Sequence, residues 1–213
     1  MEEKQSLKER IHNQEYHEIL TGKYPANQIL TERSLMEKYG VSKAPIREAL
    51  VQLCSEEMLQ SIPRCGYQIT QITPRQLEEG LEVRCILELG ALEHCFYKLD
   101  ERHIQRLEEN VIHSQSITYD HEVDKHWKMN MGFHLLLCSF ANNTLLDKAL
   151  EQNLNYCSRG AYRYFNTTWD KQKLSDASQH ARLIETIKSK SLENAKEILV
   201  EDILSMRTSF QMQ

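Results

Sequence analysis

The spacing of hydrophobic and polar positions over the first 72 residues predicts three short helices followed by a β-hairpin. We expect the helices over residues 7–20, 31–39 and 43–55. Beyond them, apolar and polar residues alternate on either side of a turn at Pro63–Gly66, which is typical of two antiparallel strands. The second and third helices, joined at Gly40, have the layout of a helix-turn-helix, and the hairpin after them would form its wing.

The pattern changes close to residue 73, where long helical stripes replace the short elements. All four prolines lie before residue 75, and the chain beyond it has apolar residues at helical spacing with polar loops between them. Thr73 and Pro74 are residue types preferred at the N-cap and at the first position of a helix. The sequence therefore predicts a mainly α protein with two domains, a winged helix-turn-helix over residues 1–72 and an all-helical domain over residues 73–213.

Polar and basic residues are concentrated at the start of the third predicted helix. Ser42 is a suitable N-cap, and Pro45 falls in the first turn, where its missing N–H costs little. Lys43 and Arg47 share a face one turn apart. The N-terminal end of a recognition helix enters the major groove of DNA, where arginine pairs with guanine and Ser42 or backbone N–H groups hold phosphate. The alternative is a solvated helix face with two ordinary cations, and spacing alone does not separate the two.

Charge and composition limit the classes of function. The net charge is −5, and the first 70 residues hold nine Lys/Arg and ten Asp/Glu, so a DNA site has to be a local basic patch. No apolar run approaches the ~20 residues needed to cross a bilayer, and the N-terminus lacks a signal-peptide core, which indicates a cytoplasmic protein. The six cysteines form no C-x-x-C pair, which argues against a zinc ribbon and a disulfide framework.

Residues 19–69 carry many motif residues at fixed spacing. They read ILTGKYPANQILTERSLMEKYGVSKAPIREALVQLCSEEMLQSIPRCGYQI. This stretch resembles the GntR family of bacterial transcription regulators, whose pattern has L-x-E-R, then G-V-S-R-x-P-V-R-E-A-L, then a basic wing with P-R-x-G. The resemblance implies that the first domain binds DNA as a winged helix-turn-helix.

The same resemblance implies which residues contact DNA. Arg33 would hold phosphate, and Arg47 is the candidate for guanine readout. Arg64 and Gly66 would form the wing tip at the minor groove. Lys43 stands where arginine is usual, which keeps the charge but loses the bidentate geometry. The other DNA-binding positions are Ser42, Ala44 and Pro45.

Two positions depart from the family pattern. Asn27 stands where a turn glycine is common, and asparagine tolerates the left-handed conformation, so we expect the turn to survive. Glu57 replaces the glycine that usually ends the third helix. A glutamate in the same left-handed cap would be strained, so we expect the helix end to differ locally.

The start of the second domain resembles the FCD effector domain of the FadR branch of this family, an antiparallel all-helical bundle with a ligand cavity. The family pattern E-x-R-x-x-L-E is matched by Glu82, Arg84, Leu87 and Glu88. The resemblance places Arg84 in the cavity as a clamp for a ligand carboxylate. From spacing alone, Arg84 and Glu88 are equally well an i,i+4 ion pair on the helix surface. The candidate effector-binding residues are Arg84, Glu88, Asn143 and Arg159.

The FCD cavity of the family often holds a divalent metal, bound by one carboxylate and three histidines. The matching positions here are Asn130, His134, His180 and Asp202. Asn130 stands in place of the carboxylate and Asp202 in place of a histidine, so the formal charge of the set is unchanged. Two imidazoles, a carboxylate and an amide oxygen suit Zn²⁺, Ni²⁺ or Mn²⁺. The weak amide donor and the short aspartate leave a metal-free site as an alternative, and a lone helical histidine is more often packed or exposed than a ligand.

Together these features predict a homodimeric transcription regulator, not an enzyme, that binds an inverted repeat in double-stranded DNA. A small organic acid in the helical domain would shift its DNA affinity, and repression relieved by ligand is the commonest arrangement in the family. Two alternatives remain. One is a metal-free sensor that uses Arg84 and the arginines near Arg159. The other is a metal-dependent hydrolase built on His134, His180 and Asp202, although the sequence has no convincing general base beside them.

Overall fold

Helices account for most of residues 6–25, 27–115, 123–168 and 176–210, which are the residues that the computed structural model describes. The chain divides into two units, Met1–Ile72 and Thr73–Gln213. The first contains three helices and a small antiparallel sheet, and the second is helical, so the predicted fold class is confirmed. Among the described helices, none is both long and apolar enough to cross a membrane.

The helices of the first unit begin at residues that cap them. The unit contains α1 (Leu7–Leu20), β1 (Ile29–Leu30), α2 (Glu32–Tyr39), α3 (Lys43–Ser55), β2 (Leu59–Ile62) and β3 (Gly66–Ile69). Thr31 caps α2, and its hydroxyl accepts from the N–H of Ser34 while Ser34 bonds back, which is a capping box. Gly40 ends α2 in the left-handed conformation, with a φ of 65°. These local signals explain why the predicted helix bounds agree with the structure.

Apolar residues of the three helices and the sheet form one core. Leu35, Ile46, Leu50 and Leu53 are buried, and Val41 packs against them while partly exposed. Burial of each large side chain contributes about 1.5–3 kcal/mol. The core therefore fixes α3 against α2 and leaves the opposite face of α3 exposed.

The wing is a three-stranded antiparallel sheet in the order β1-β3-β2, one strand more than the predicted hairpin. β2 and β3 form the hairpin, and β1 pairs with the other edge of β3. A strand of two residues has no alternation to detect, which is why the pattern misses it. Gly66 is required at this edge, because a Cβ there would lie 2.5 Å from the carbonyl oxygen of Leu30.

Asn27 and Glu57 both adopt the left-handed conformation, with φ angles of 61° and 57°. The expectation for Asn27 is confirmed. At Glu57 the expectation of a different helix end is wrong, because α3 closes with the left-handed cap that glycine usually supplies. Met58 N–H donates to the carbonyl of Leu53 across 2.9 Å, and this bond closes the chain around Glu57. Glutamate pays about 1–2 kcal/mol for this conformation.

Ser42 occupies the N-cap of α3, but its side chain makes no capping hydrogen bond, which corrects the predicted role. A capping side chain accepts from the N–H of the second or third helical residue. The third helical residue is Pro45, which has no N–H to donate. Ser42 is exposed, so its hydroxyl remains accessible to a molecule outside the chain.

A buried polar network holds the helix-turn-helix against α1. Glu15 and Glu18 of α1 are buried, and Lys38 in the last turn of α2 donates to both carboxylates. The hydroxyls of Tyr24 and Tyr39 donate to Glu15 across 2.8 and 2.6 Å. Buried carboxylates are stable only when they are paired. The network therefore fixes the turn between α2 and α3 on α1.

The second unit is built around its first helix. It contains α4 (Pro74–Cys95), a 3-10 helix (Phe96–Lys98), α5 (Glu101–Gln115), α6 (Val123–Ser139), α7 (Thr144–Thr168), α8 (Asp176–Lys188) and α9 (Leu192–Phe210). Thr73 and Pro74 cap and open α4 as predicted, with a capping box to Gln76. α4 packs against α6, α7 and α9, and α8 packs against α5, α6 and α9. Side chains from α4, α6, α8 and α9 therefore meet inside this unit.

Candidate functional sites

The first turns of α3 present an exposed polar face. Ser42, Lys43, Ala44 and Arg47 are exposed, and Pro45 beside them is half-buried. The ammonium of Lys43 lies 2.7 Å from a carboxylate oxygen of Glu32 at the start of α2. This ion pair connects the start of α3 to the start of α2. The structure therefore brings the residues predicted on α3 onto one accessible surface.

An open groove of about 1030 Å³ continues this face along α3. Lys43 and Arg47 line one part of it, and Val51 and Ser55 extend it toward the end of the helix. Lys8 of α1 contributes a third cation to the groove. Sequence reasoning misses Lys8, because it precedes every motif residue and only the packing of α1 on α3 places it here.

The wing presents Arg64 at its tip. The N–H of Cys65 donates to the carbonyl of Ile62 across 3.0 Å, which closes a four-residue turn with Pro63 in its second position. Arg64, in the third position, is exposed and left-handed, with a φ of 65°. Glycine is the usual residue there, so the turn holds an arginine at some conformational cost.

Arg33 lies elsewhere on the same domain, on the exposed side of α2. Its Nε donates to Glu37 one turn later across 3.0 Å. Exposed pairs of this kind contribute little stability, about 0.3–0.5 kcal/mol on a helix. Replacing this carboxylate by another anion would therefore cost the guanidinium little.

Three potential metal ligands converge inside the second unit. His134 of α6, His180 of α8 and Asp202 of α9 each offer one ligand atom, and these atoms lie within 4.8 Å of one another. All three side chains are buried. Asp202 Oδ2 lies 3.1 Å from His134 Nε2 and 3.4 Å from His180 Nε2. Three residues of the predicted set are therefore brought together.

The surrounding side chains fix the two imidazole rings. The ring of Phe133 stacks on that of His180, with centroids 3.8 Å apart and an angle of 6° between the planes. The rings of His134 and His180 are nearly perpendicular, at 82°. Glu88 accepts from Nδ1 of His134 across 2.6 Å, so Nε2 of this ring faces Asp202. Asn130 is buried one helical turn before His134 on the same face of α6.

The two distances from Asp202 fit a small divalent cation. Donors held about 2.0–2.1 Å from a tetrahedral ion are about 3.3 Å apart, close to both distances from Asp202. Among the described residues, neither His134 Nε2 nor Asp202 Oδ2 has a hydrogen-bond partner of acceptable geometry. Atoms that are close but not aligned for hydrogen bonding are suited to a shared central ion.

The electrostatics of the cluster also favour a cation. Burial raises the pKa of Asp202, but the two histidines lower it by more, so the net pKa is well below the usual value. Burial and Arg84 lower the pKa of His134, and the carboxylates of Glu88 and Asp202 raise it by more. Burial also raises the pKa of Glu88, but His134 and Arg84 lower it by more, so its net pKa is below the usual value. Both buried carboxylates therefore stay ionised and require positive charge beside them.

Arg84 and Glu88 form the i,i+4 pair that spacing predicts, but the pair is buried and not on the helix surface. Arg84 Nε donates to Glu88 Oε1 across 2.5 Å, and the two side chains are 2 % and 0 % exposed. One terminal nitrogen of the guanidinium, Nη2, has no hydrogen-bond partner among the described residues. A buried guanidinium with an unused donor is a strong candidate to bind an anion.

Of the two other predicted effector-binding residues, Asn143 directly precedes α7 and Arg159 lies on it. Asn143 is exposed at the start of this helix, where its Oδ1 accepts from the backbone N–H of Leu145 and of Leu146, each across 3.2 Å. It therefore acts as a helix cap. Arg159 is half-buried, and its guanidinium carbon lies 5.4 Å from the centroid of the Tyr156 ring. Their contact with an effector stays a prediction.

Family models match both units. The model of the gntR family of bacterial regulatory proteins matches residues 4–69, and that of the FCD domain matches residues 79–204. The uncharacterized HTH-type transcriptional regulator YdhC of Bacillus subtilis is 29% identical over 192 residues, which are 88% of this chain and 84% of YdhC. The HTH-type transcriptional regulator McbR of Escherichia coli is 24% identical over 196 residues, covering 92% and 89% of the two chains.

Solved structures agree in fold. E. coli McbR/YncC superimposes with a TM-score of 0.79 at 22% identity, covering 98% of this chain and 99% of the other. Lar, which controls the expression of the Listeria monocytogenes agr system, gives a TM-score of 0.71 at 16% identity, covering 99% and 100%. The order of the helices and the wing is therefore shared with solved regulators.

Proposed function

This chain belongs to the GntR family of bacterial regulatory proteins and carries an FCD domain, and we propose that a small organic acid, bound at the buried cluster of the FCD domain, controls its affinity for DNA. Its family and its relatives are DNA-binding transcription regulators. It is therefore a regulator and not an enzyme, which sets the hydrolase alternative aside. One observation carries the proposal: three convergent potential metal ligands are linked by Glu88 to a buried arginine whose Nη2 has no hydrogen-bond partner among the described residues.

The proposed metal ligands are His134, His180 and Asp202, with Asn130 as the fourth. Two imidazoles, one carboxylate and one amide suit Zn²⁺, Ni²⁺ or Mn²⁺. When bound, the ion supplies a Lewis-acid position for an oxygen of the effector. The metal-free sensor is the competing arrangement, in which protonated histidines supply the positive charge that Asp202 and Glu88 require.

Charge favours an anionic effector. Glu88 and Asp202 contribute −2 and Arg84 contributes +1, so the cluster with neutral histidines carries −1. A divalent ion brings the sum to +1, which the carboxylate of an organic acid would neutralise. Arg84 Nη2 would donate to one carboxylate oxygen, as guanidinium groups do in strong charge-assisted pairs. An acid with a second oxygen nearby would bind more tightly, because it would also reach the ion.

At the DNA, we assign the α3 face to the major groove and the wing to the minor groove. Arg47 would read guanine, with Lys43, Ala44 and Pro45 beside it, and Ser42 and Arg33 would hold phosphate. Arg64 would enter the minor groove, where Gly66 lets the strand approach. The chain would act in the cytoplasm as a repressor, released from an inverted repeat when the acid binds.

A second copy of the chain would bind the other half of the inverted repeat. Ile86 of α4 and Tyr97 of the 3-10 helix that follows it are 72 % and 73 % exposed, and a Cβ at Gly90 would meet no atom within 4 Å. Two antiparallel copies of α4 would place Ile86 of each against Gly90 of the other. The same register opposes Glu82 to His94, an acidic position to a basic one. Ile86→Glu would then give monomers in light scattering, whereas dimers of that variant would exclude this face.

The proposed function is tested first by the metal content of the purified protein, measured by elemental mass spectrometry beside His180→Ala. Near-stoichiometric metal that the variant loses supports the ligand set. Metal-free protein, even after reconstitution, would exclude it in favour of the metal-free sensor. Titrating small carboxylates against the complex with an operator selected from random DNA then tests the effector class. DNA affinity that no carboxylate changes would contradict an organic-acid effector.

A further inference from the structure

Glu88 divides its two carboxylate oxygens between two partners. Oε1 accepts from Nε of Arg84 across 2.5 Å, and Oε2 accepts from Nδ1 of His134 across 2.6 Å. The side chain is fully buried. Arg84 comes from the same helix, one turn before, whereas His134 lies 46 positions away on α6. Glu88 thus joins the candidate anion-binding arginine to a candidate metal ligand.

We propose that Glu88 is a positioning residue of the metal centre and does not contact the effector. This inference rests on the proposed function, because it assumes that His134 binds the ion. The hydrogen bond from Nδ1–H to Glu88 places the ring proton on Nδ1. The lone pair of Nε2, which lies 3.1 Å from Asp202 Oδ2, can then coordinate the ion. A carboxylate in this position also orients the ring and increases the basicity of the coordinating nitrogen.

The packing opposes the effector role that the resemblance implies for Glu88. Turning its carboxylate toward a ligand would leave both the His134 N–H and the Arg84 Nε–H unpaired in a buried site, which is costly. An anionic effector would also be repelled by Glu88, but it would be attracted by the unused Nη2 donor of Arg84. The two residues of the motif therefore have different roles: Arg84 would bind the effector, and Glu88 would orient His134.

The test compares zinc affinity in full-length variants by chelator competition. Glu88→Gln removes the charge with little change in shape, and Glu88→Asp keeps the charge but withdraws it from His134. We expect both to bind Zn²⁺ about 10–100-fold more weakly than the wild type, the range found for partners of coordinating histidines. Glu79→Gln is the matched control, because it makes the same charge change at an exposed position of the same helix.

Two further measurements separate positioning from a general loss of structure. The absorption spectrum of the Co²⁺-loaded protein should change in both Glu88 variants, and DNA affinity without metal should stay within twofold of the wild type. Zinc affinity equal to that of Glu79→Gln in both Glu88 variants would overturn the role of Glu88 and leave the metal site standing. A wild-type protein that does not bind Zn²⁺, Ni²⁺ or Mn²⁺ would instead overturn the metal centre itself, and the role of Glu88 with it. If Glu88→Asp bound Zn²⁺ as tightly as the wild type while Glu88→Gln bound it more weakly, only the charge of Glu88 would matter, and the positioning role would be refuted.

Discussion

Asp202 Oδ2 lies 3.1 Å from His134 Nε2, yet the two atoms are not aligned for a hydrogen bond. The distance is close to the separation of two ligands of one tetrahedral ion. The resemblance to the family implies a histidine at the position of Asp202 and a carboxylate at that of Asn130, so the proposed ligand set would take its carboxylate from α9 instead of α6, with its formal charge retained.

Replacing Asp202 by alanine should remove most of the metal affinity. The variant loses an anionic ligand, so the loss should exceed the roughly 10–100-fold typical of residues that only support a ligand. Isothermal titration with Zn²⁺ measures it. Glu201→Ala is the control, since Glu201 is the adjacent carboxylate and is exposed. Equal affinity in the two variants would show that Asp202 is not a ligand.

Glu57→Gly should stabilise the first unit. Glu57 has a φ of 57°, where glycine has no steric cost, so the free energy of unfolding should rise by about 1 kcal/mol. Glycine makes the unfolded chain more flexible, so more conformational entropy is lost on folding, and this offsets part of the gain. Urea unfolding followed by circular dichroism measures the change. Ser55→Gly, within the last turn of α3, should have the opposite sign, and a destabilised Glu57→Gly would argue against strain at this cap.

Glu18 should make the first unit sensitive to acid. Burial raises its pKa, but hydrogen bonds from Lys23 and Lys38 lower it by more, to about 2. A glutamate in the unfolded chain has a pKa of about 4.3, so the native state favours the ionised form. Its contribution to stability is therefore complete above about pH 4.3 and is lost as the pH falls toward 2.

The measurement for Glu18 is urea unfolding between pH 2 and 7. Glu18→Gln should be less stable near neutral pH and should lose less stability on acidification than the wild type. Glu48→Gln, which changes an exposed carboxylate in the same unit, should follow the wild-type curve. Parallel curves for wild type and Glu18→Gln would show that the network around Lys38 does not contribute in this way.

Local signals account for the features that the sequence predicts well. The bounds of α1, α2 and α3 follow from caps and breakers within a few residues of each end, and the GntR and FCD motifs identify both units. The features it misses depend on contacts between distant residues. Glu88 meets His134 across 46 positions, and Lys38 meets Glu15 across 23. Neither spacing nor residue type reveals such partners before the helices are packed.

Glu57 and Ser42 show a second limit. Residue preference correctly identified Glu57 as unsuited to a left-handed cap, but the rest of the fold imposes that conformation nonetheless. Ser42 occupies the N-cap that residue preference predicts, but it makes no capping hydrogen bond, because Pro45 lacks an N–H that a cap would use. Preferences identify the position, and the neighbours decide what the side chain does there.

Arg47 and Lys8 should affect DNA binding in different ways. Arg47→Ala should weaken binding to a selected operator much more than binding to random DNA, because each bidentate contact with guanine discriminates by about 1–3 kcal/mol. Lys8 lines the same groove but lies on α1, where a phosphate contact is expected. Lys8→Ala should therefore weaken operator and random DNA alike, and reduce the slope of log K against log salt by about 1.

Fluorescence anisotropy at several salt concentrations measures both variants. Circular dichroism should be unchanged in each, since neither side chain is part of the buried core. Glu48→Ala, which removes an acidic side chain from the same groove, is the matched control and should bind both DNAs at least as tightly as the wild type. If Arg47→Ala kept the operator affinity of the wild type, Arg47 of α3 would not read guanine in the major groove. A sequence-dependent loss in Lys8→Ala would mean that Lys8 reads bases, which a phosphate contact does not do.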